Sequence, residues 1–225
     1  MNSPAQARFC FWGAGGHGKV VLDAALAAHP GAAICFADDD PGRHGSSFCG
    51  FPVIPYSQSF LEDSEFVVCI GDNHRRAEKY MTGIACTRSA IVIHPSAIVS
   101  PSARIGPGSV ILARAVVNAG VTVGADSIIN TGAIIEHDCT IGDHAHIAPG
   151  AILGGGCSAG SFAHIGLGAR VLPRIRIGAE TVIGAGSVVI RDIAAHLVVA
   201  GVPSRVLRSS APIARPPAGI SRVQR

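Results

Sequence analysis

The chain has 225 residues, of which 48% are hydrophobic and 15% are charged, with 28 glycines and a formal net charge of +3. This composition is typical of a folded chain rich in tight turns and excludes extensive disorder. The positive charges are scattered and are not interleaved with aromatic residues, so the sequence does not indicate nucleic-acid binding. The length suffices for two domains of modest size.

The seven cysteines are odd in number and form no C-x-x-C pair. They therefore indicate neither a disulfide framework nor a zinc ribbon, and a reducing compartment suits them. No apolar run approaches 18 residues, and the first eight residues lack the order of a signal peptide. We therefore expect a cytoplasmic protein without a membrane span.

The first half begins with a pattern of strand, glycine turn and helix. Arg8 to Trp12 reads as a buried strand, Gly13 to Gly18 spells G-A-G-G-H-G, and an apolar helical run follows from Lys19 to Ala28. Glycines in this context let backbone N–H groups and a helix N-terminus approach a phosphate. The alternative is that these glycines only make a tight turn.

The remaining elements of the first half suit a nucleotide. A second strand, Ala33 to Ala37, ends in Asp38, Asp39 and Asp40, whose carboxylates can accept hydrogen bonds from a ribose or a base. Glu65 to Ile70 reads as a third strand, followed by a helix near Arg75 to Thr82. About 90 residues hold one mononucleotide unit, which is half of a Rossmann fold and argues against a dehydrogenase.

The second half carries a repeat with a period of six. From Ile93 to Val189 every sixth residue is Ile, Val or Leu, except Ala159. In the first sixteen hexads the fifth residue is small, except Val121 and Ile175. This period fits neither an α-helix nor an ordinary strand. It predicts a parallel β-helix with three short strands in each turn of eighteen residues, and neighbouring turns about 4.8 Å apart.

Histidines are the natural candidates for acid–base chemistry near neutral pH. His137 and Asp138 occupy the third and fourth places of a hexad, which face outward at a corner. His146 lies on a flat face, with His164 directly above it one turn later. The alternative is that these residues are exposed polar groups without a function. A metal site that includes His144 matches no common ligand spacing, so we expect no metal.

The hexads resemble those of the hexapeptide-repeat acyltransferase superfamily, as in Ile105-Gly106-Pro107-Gly108-Ser109 and Ile183-Gly184-Ala185-Gly186-Ser187. The resemblance implies a left-handed helix, a homotrimer and active sites between subunits. We therefore expect a Rossmann-like α/β domain over residues 1–90, a left-handed parallel β-helix over residues 91–208 and a C-terminal tail over residues 209–225.

A narrower resemblance rests on two sets of motifs: the glycine loop with Asp38-Asp39 and Ile70-Gly71-Asp72-Asn73, and Glu136-His137-Asp138-Cys139 followed by Ala145-His146. Together they resemble the nucleotide-aminosugar N-acetyltransferases, such as those that make N,N′-diacetylbacillosamine and N-acetylperosamine, and the related sialic acid O-acetyltransferases. The resemblance covers about residues 8–207.

That resemblance implies roles for individual residues. It makes His137 the general base and Asp138 the group that raises its basicity. It assigns nucleotide-sugar binding to Gly15, Gly16, His17, Asp38, Asp39 and Gly71. It assigns acetyl-CoA binding to His146, Leu167 and Ala185, with the Gly155 N–H as a candidate oxyanion donor.

The expected activity is transfer of an acetyl group from acetyl-CoA to the 4-amino group of a UDP- or GDP-linked 4-amino-4,6-dideoxy sugar. The alternative within enzymes is O-acetylation of a sialic acid. Outside enzymes, the alternative is a non-catalytic β-helix protein that binds nucleotide sugars.

Overall fold

The computed structural model describes residues 8–56, 64–85 and 88–210. The first half contains a five-stranded sheet with two helices, and the second half is a parallel β-helix. Of the predicted tail, only Ser209 and Ser210 are described; Ser210 donates its hydroxyl to the Glu180 carbonyl at 2.6 Å. No helix in the described ranges is long and apolar enough to cross a lipid bilayer.

The elements of the first half are β1 (Arg8–Trp12), α1 (Gly16–Ala28), β2 (Ala33–Ala37), β3 (Ser47–Phe48), β4 (Phe51–Ile54), β5 (Glu65–Val68) and α2 (Asn73–Ile84). Their sheet is mostly parallel, with strand order β3-β4-β2-β1-β5. A short 3₁₀ helix, Pro41–Arg43, follows β2, and the antiparallel pair β3 and β4 completes the edge.

The three predicted strands and both helices are confirmed, with shifts at their ends. Helix α1 begins at Gly16 rather than Lys19, because the glycines themselves adopt helical conformation. Helix α2 begins at Asn73, since the Asp72 carboxylate accepts a hydrogen bond from the Arg75 N–H at 2.9 Å and caps the helix. The third strand ends at Val68, two residues before the predicted end.

The second half stacks two-residue strands eighteen residues apart, as the period of six predicts. They form three faces. We name one for the first half, which packs against it, and the other two for the polarity of their outward side chains. The docking face, against which the first half packs, consists of β6 (Val92–Ile93), β9 (Val110–Ile111), β12 (Ile128–Ile129), β15 (His146–Ile147), β18 (His164–Ile165), β21 (Val182–Ile183) and the terminal strands β23 (Leu197–Ala200) and β24 (Arg205–Ser209).

The two other faces differ in the polarity of their outward residues. The apolar face consists of β7 (Ile98–Val99), β10 (Val116–Val117), β13 (Ile134–Ile135), β16 (Ile152–Leu153), β19 (Arg170–Val171) and β22 (Val188–Val189). The polar face consists of β8 (Arg104–Ile105), β11 (Thr122–Val123), β14 (Thr140–Ile141), β17 (Ser158–Ala159) and β20 (Arg176–Ile177).

Aliphatic residues of the hexads fill the interior of the β-helix, together with the small fifth residues, which include the buried Cys139 and Cys157. At many corners the fourth residue of the hexad has a positive φ, as at Asp126 (50°), Asp138 (60°) and His144 (57°). Its side chain therefore leaves the corner outward. The predicted corner position of His137 and Asp138 is confirmed.

The first half packs on the docking face. Phe9, Val21 and Leu22 share one apolar cluster with outward residues of the lower strands of that face, Val92, Val110 and Ile128. Helix α2 lies along the corner between the polar and docking faces, which we call the docking corner. The residues of the docking corner that lie one β-helix turn apart are Gly108, Asp126, His144 and Phe162.

Arg76 of α2 is buried in this contact, with 1% of its side chain exposed. Its Nε donates to the Asp126 carbonyl at 2.9 Å and lies 3.3 Å from the Asp126 carboxylate, which is 0% exposed. Its other nitrogens donate to the Asn73 side chain and to the His144 carbonyl, the latter at 2.7 Å. The His144 ring in turn contacts Asp126 through Nδ1 at 2.8 Å.

Burial disfavours the charged forms of both partners, lowering the pKa of Arg76 and raising that of Asp126. The hydrogen bonds that surround the pair offset this cost only while both partners are present. Asp126 also accepts hydrogen bonds from His144 and Arg76, which favour its ionised form.

Arg76→Leu should therefore lower the free energy of unfolding by about 3–5 kcal/mol, because it removes the only full positive charge that the described residues place beside the buried Asp126 carboxylate and leaves it the His144 hydrogen bond alone. Adding Asp126→Asn should recover part of the loss. The control is Arg88→Leu, which removes an ion pair with Glu65 whose side chains are 87% and 44% exposed and should cost less than about 1 kcal/mol. Equal losses for the two single variants in urea unfolding would contradict the assignment.

Candidate active site

A cavity of about 530 Å³ opens at the carboxyl ends of β1, β2 and β5. Strand order reverses here, since β2 lies on one side of β1 and β5 on the other. Open α/β sheets bind ligands at such switch points. All six residues predicted to bind the nucleotide sugar line this cavity: Gly15, Gly16, His17, Asp38, Asp39 and Gly71.

The glycine loop presents a bare helix N-terminus to the cavity. Gly15 precedes α1 with an extended backbone (φ −117°), and no side chain caps the helix. A Cβ on Gly15 or Gly16 would meet no atom within 4 Å. In contrast, a Cβ on Gly18 would lie 2.6 Å from the Gly13 carbonyl oxygen, so this glycine serves packing. The open N–H groups suit a phosphate.

The carboxylates after β2 form an acidic end of the cavity. Asp38 accepts a hydrogen bond from the Ala14 N–H at 2.9 Å, which ties the glycine loop to β2. Asp39 accepts from the Trp12 indole at 3.1 Å and lies 2.7 Å from Lys79 Nζ. Burial opposes the ionisation of Asp39, but the bonds from Lys79 and Trp12 outweigh it and lower its pKa.

Three residues of the cavity wall, Trp12, Arg43 and Arg75, were not predicted from the sequence. The two arginines belong to no motif, and only the fold brings them to this cavity. Asp40 also lines it, as the run of three aspartates after β2 had indicated.

Three histidines lie where the cavity meets the docking face. His146 pairs with His164 in register, as predicted, and their ring centroids are 4.9 Å apart. The centroid of the His17 ring lies 6.4 Å from the centroid of the His146 ring. Burial, helped by the charge of Arg76, lowers the pKa of His17 to about 4. Burial, followed by the neighbouring His164, lowers the pKa of His146 to about 3, so both rings are neutral at pH 7.

The tautomer of His146 follows from its neighbours. The Asn130 side-chain oxygen accepts from the Thr131 N–H, so its amide nitrogen is the atom that faces His146 Nε2 at 3.0 Å. Nε2 then accepts, and Nδ1 carries the proton. His146 Nδ1 and His17 Nε2 are both buried without a hydrogen-bond partner among the described residues.

The His137–Asp138 pair lies at the corner between the apolar and polar faces, which we call the dyad corner. His137 Nδ1 is 2.9 Å from the Asp138 carboxylate, and the two side chains are 66% and 73% exposed. A Cβ on Gly155, one turn above, would lie 2.5 Å from His137 Nε2. The glycine therefore leaves room for the ring and for whatever approaches Nε2.

The residues predicted to bind acetyl-CoA lie in three places. Gly155 lies against His137, and His146 lies under the first half. Leu167 and Ala185 are exposed one turn apart on the third corner, between the docking and apolar faces, and the Gly186 N–H donates to the Leu167 carbonyl at 2.7 Å. We call this the glycine corner, because its fourth positions are Gly132, Gly150, Gly168 and Gly186.

Within one chain, the residues of the predicted site are therefore separated into distant groups. The first half covers the docking face and docking corner, whereas the dyad corner is the edge of the prism opposite the docking face. Among the described residues, no group of three or more His, Cys, Asp or Glu side chains is placed to hold a metal ion.

Two protein families match the two halves of the chain. The PglD N-terminal domain matches residues 8–82, and the bacterial transferase hexapeptide (six repeats) matches residues 120–155. None of the curated protein sequences compared with the chain matches it. The fold and the two matches thus define a hexapeptide-repeat transferase with a Rossmann-like N-terminal domain.

Similar solved structures identify the subgroup of hexapeptide-repeat transferases. PerB from Caulobacter crescentus, solved with CoA and GDP-perosamine, is 37% identical with a TM-score of 0.83, over 91% of this chain and 99% of that chain. The acetyltransferase domain of PglB from Neisseria gonorrhoeae FA1090, solved with acetyl coenzyme A, is 38% identical with a TM-score of 0.83, over 90% and 100%. The chain belongs to the hexapeptide-repeat acyltransferase superfamily, in the subgroup of these sugar N-acetyltransferases.

Two glycine substitutions separate binding from packing in the loop. Gly15→Ala should fold normally, since its backbone suits alanine and its Cβ meets open space, but the methyl group should weaken binding of UDP or GDP by about 10-fold by occupying the cavity. Gly18→Ala should instead lower the melting temperature, because its Cβ collides with backbone. Thermal unfolding and calorimetric titration measure both effects. Unchanged nucleotide affinity in Gly15→Ala would contradict the proposed position of the phosphates.

Proposed function

We propose that the protein transfers the acetyl group of acetyl-CoA to the 4-amino group of a nucleotide-linked 4-amino-4,6-dideoxy sugar. The observation that carries the proposal is the combination of a nucleotide-sized cavity at the switch point with a corner His–Asp pair on a hexapeptide-repeat β-helix. The similarity to PerB, solved with CoA and GDP-perosamine, supports this substrate class.

His137 is the proposed general base. Its Nδ1 faces the Asp138 carboxylate, which selects the tautomer whose Nε2 accepts a proton and stabilises the imidazolium formed afterwards. The sugar amine attacks the thioester carbonyl carbon, and Nε2 takes the proton that the amine loses. Collapse of the tetrahedral intermediate breaks the C–S bond, and the imidazolium returns the proton to the leaving CoA thiolate. No acyl-enzyme is formed.

The surroundings of Nε2 suit this reaction. Gly155 presents only backbone beside the imidazole, and its carbonyl is held by the Arg174 N–H at 2.9 Å. We propose that the Gly155 N–H stabilises the oxyanion of the tetrahedral intermediate. We further propose that the pantetheine arm follows the glycine corner past Leu167 and Ala185, because side chains are absent at its fourth positions from Gly132 to Gly186 and Leu167 offers an exposed apolar contact.

The exposure of the dyad supports an assembly of several chains. The outward residues beside it on the apolar face are Ile98, Val116, Ile134 and Ile152, whereas the polar face carries Thr122, Thr140 and Ser158 at the corresponding places. An apolar stripe on one face only favours burial against another copy. We propose a homotrimer in which His137 of one chain serves the nucleotide cavity of its neighbour.

Activity assays test the chemistry directly. With acetyl-CoA, release of free thiol should require a UDP- or GDP-linked 4-amino sugar and should not occur with free sialic acid or CMP-sialic acid. His137→Ala should lower kcat by about 10²–10⁴-fold, the usual contribution of a general base. The control His29→Ala changes an exposed histidine after α1 and should leave kcat unchanged. Near-normal turnover in His137→Ala would remove the general-base assignment, and acetylation of sialic acid would replace the proposed substrate.

Mixed oligomers test the position of the site between chains. His137→Ala and Gly15→Phe should each be inactive alone, the second because the ring fills the cavity. When both are co-expressed with different tags and purified as mixed trimers, one of the three sites in each trimer, about a third, should combine an intact cavity with an intact dyad. Activity should then recover to about that fraction. Verified mixed oligomers without any recovery would show that each site lies within one chain.

A further inference from the structure

The cavity brings acidic side chains together with two helix N-termini. Asp38, Asp39 and Asp40 lie at the end of β2, where Asp38 accepts from the Ala14 N–H of the glycine loop and Asp39 lies 2.7 Å from Lys79 of α2. The N-termini of α1 and α2 lie after β1 and β5, and their helix dipoles favour an anion. A nucleotide has complementary groups for both, with hydroxyl and N–H donors on its ribose and base and negative charge on its phosphates.

Three side chains of the cavity wall can carry positive charge, and two of them are already accounted for. The Arg43 guanidinium donates to the Ala14 carbonyl and lies 3.7 Å from the Asp38 carboxylate and 3.6 Å from the Asp40 carboxylate. The buried ring of His17 is neutral at pH 7, since its pKa is lowered to about 4 by burial and by the charge of Arg76.

Arg75 is the third. It is the third residue of α2 and it is exposed. Its charge helps to lower the pKa of Asp39, but its guanidinium lies within ion-pair or hydrogen-bond distance of no residue in the described parts of the chain. Its backbone N–H is held by the Asp72 carboxylate at 2.9 Å, so the position of its Cα at the cavity mouth is set. An arginine fork without a protein partner suits two oxygens of a phosphate.

We infer that Arg75 binds the second phosphate of the nucleotide sugar and so selects nucleoside diphosphate carriers over monophosphate carriers. This inference rests on the proposed function and sharpens it. The first phosphate occupies the N-terminus of α1, the second lies between the two helix N-termini, and Arg75 neutralises the charge that the monophosphate lacks. Arg75 is thus a specificity-determining residue that takes no part in the acetyl transfer itself.

Calorimetric titration of the full-length protein with UDP, UMP, GDP and GMP tests the inference. The unchanged protein should bind the diphosphate of its preferred base about 10- to 100-fold more tightly than the monophosphate. Arg75→Gln should bring this ratio close to one by weakening only the diphosphate, and Arg75→Lys should retain part of it. In turnover assays Arg75→Gln should raise KM for the nucleotide sugar and leave kcat unchanged, since the contact is the same in ground state and transition state.

The matched control is Arg88→Gln, which changes an exposed arginine paired with Glu65 at the amino end of β5, the end away from the cavity, and should leave all four affinities unchanged. A diphosphate preference that survives in Arg75→Gln would overturn the role of Arg75 and leave the proposed function standing. Equal affinity of the unchanged protein for diphosphates and monophosphates would also overturn it. Binding of neither UDP nor GDP would instead overturn the nucleotide-sugar function.

Discussion

The buried Arg76–Asp126 pair is the contact on which the arrangement of the two halves depends. A guanidinium in an apolar contact requires hydrogen-bond acceptors in fixed directions, and Arg76 finds them on Asn73 of its own helix and on Asp126 and His144 of the docking corner. Apolar packing between Phe9 and Ile128 tolerates small displacements, whereas this network does not. It therefore determines where the cavity opens relative to His146 and His164.

The network also explains why the cavity and the His137–Asp138 pair lie on opposite sides of the chain. Because α2 occupies the docking corner, the cavity at its N-terminus faces the docking face, and the opposite edge of the β-helix remains free for His137 and Asp138. Each chain thus carries the cavity on one side and the proposed base on the other. Such a division gives a complete site only when copies associate around the free edge, which is the assembly proposed above.

Much of this structure follows from local sequence, because each hexad repeats the same signal. A strict period of six places His137 and Asp138 at a corner and His164 above His146, and both placements are confirmed. The strand and helix predicted on either side of the glycine loop are likewise confirmed, and the loop lines the cavity.

Other features depend on contacts between distant residues and could not be predicted in this way. Arg76 resembles any exposed arginine of a polar helix, and its burial is visible only when α2 meets the docking corner. Arg43 and Arg75 lie 32 residues apart in the sequence, and the strand order of the sheet brings both to the wall of the same cavity. His146 was predicted to face outward, and it does, but the first half covers it.

The fourth position of each hexad has a further consequence for how such a protein evolves. A positive φ there favours glycine, and any other residue costs on the order of 1 kcal/mol of backbone strain. Asp126, His144 and Phe162 offset this cost with contacts in docking, and we propose a catalytic role for Asp138. Departures from glycine at the fourth position are therefore places to look for such contacts, and they can be read from the sequence of any member of the fold.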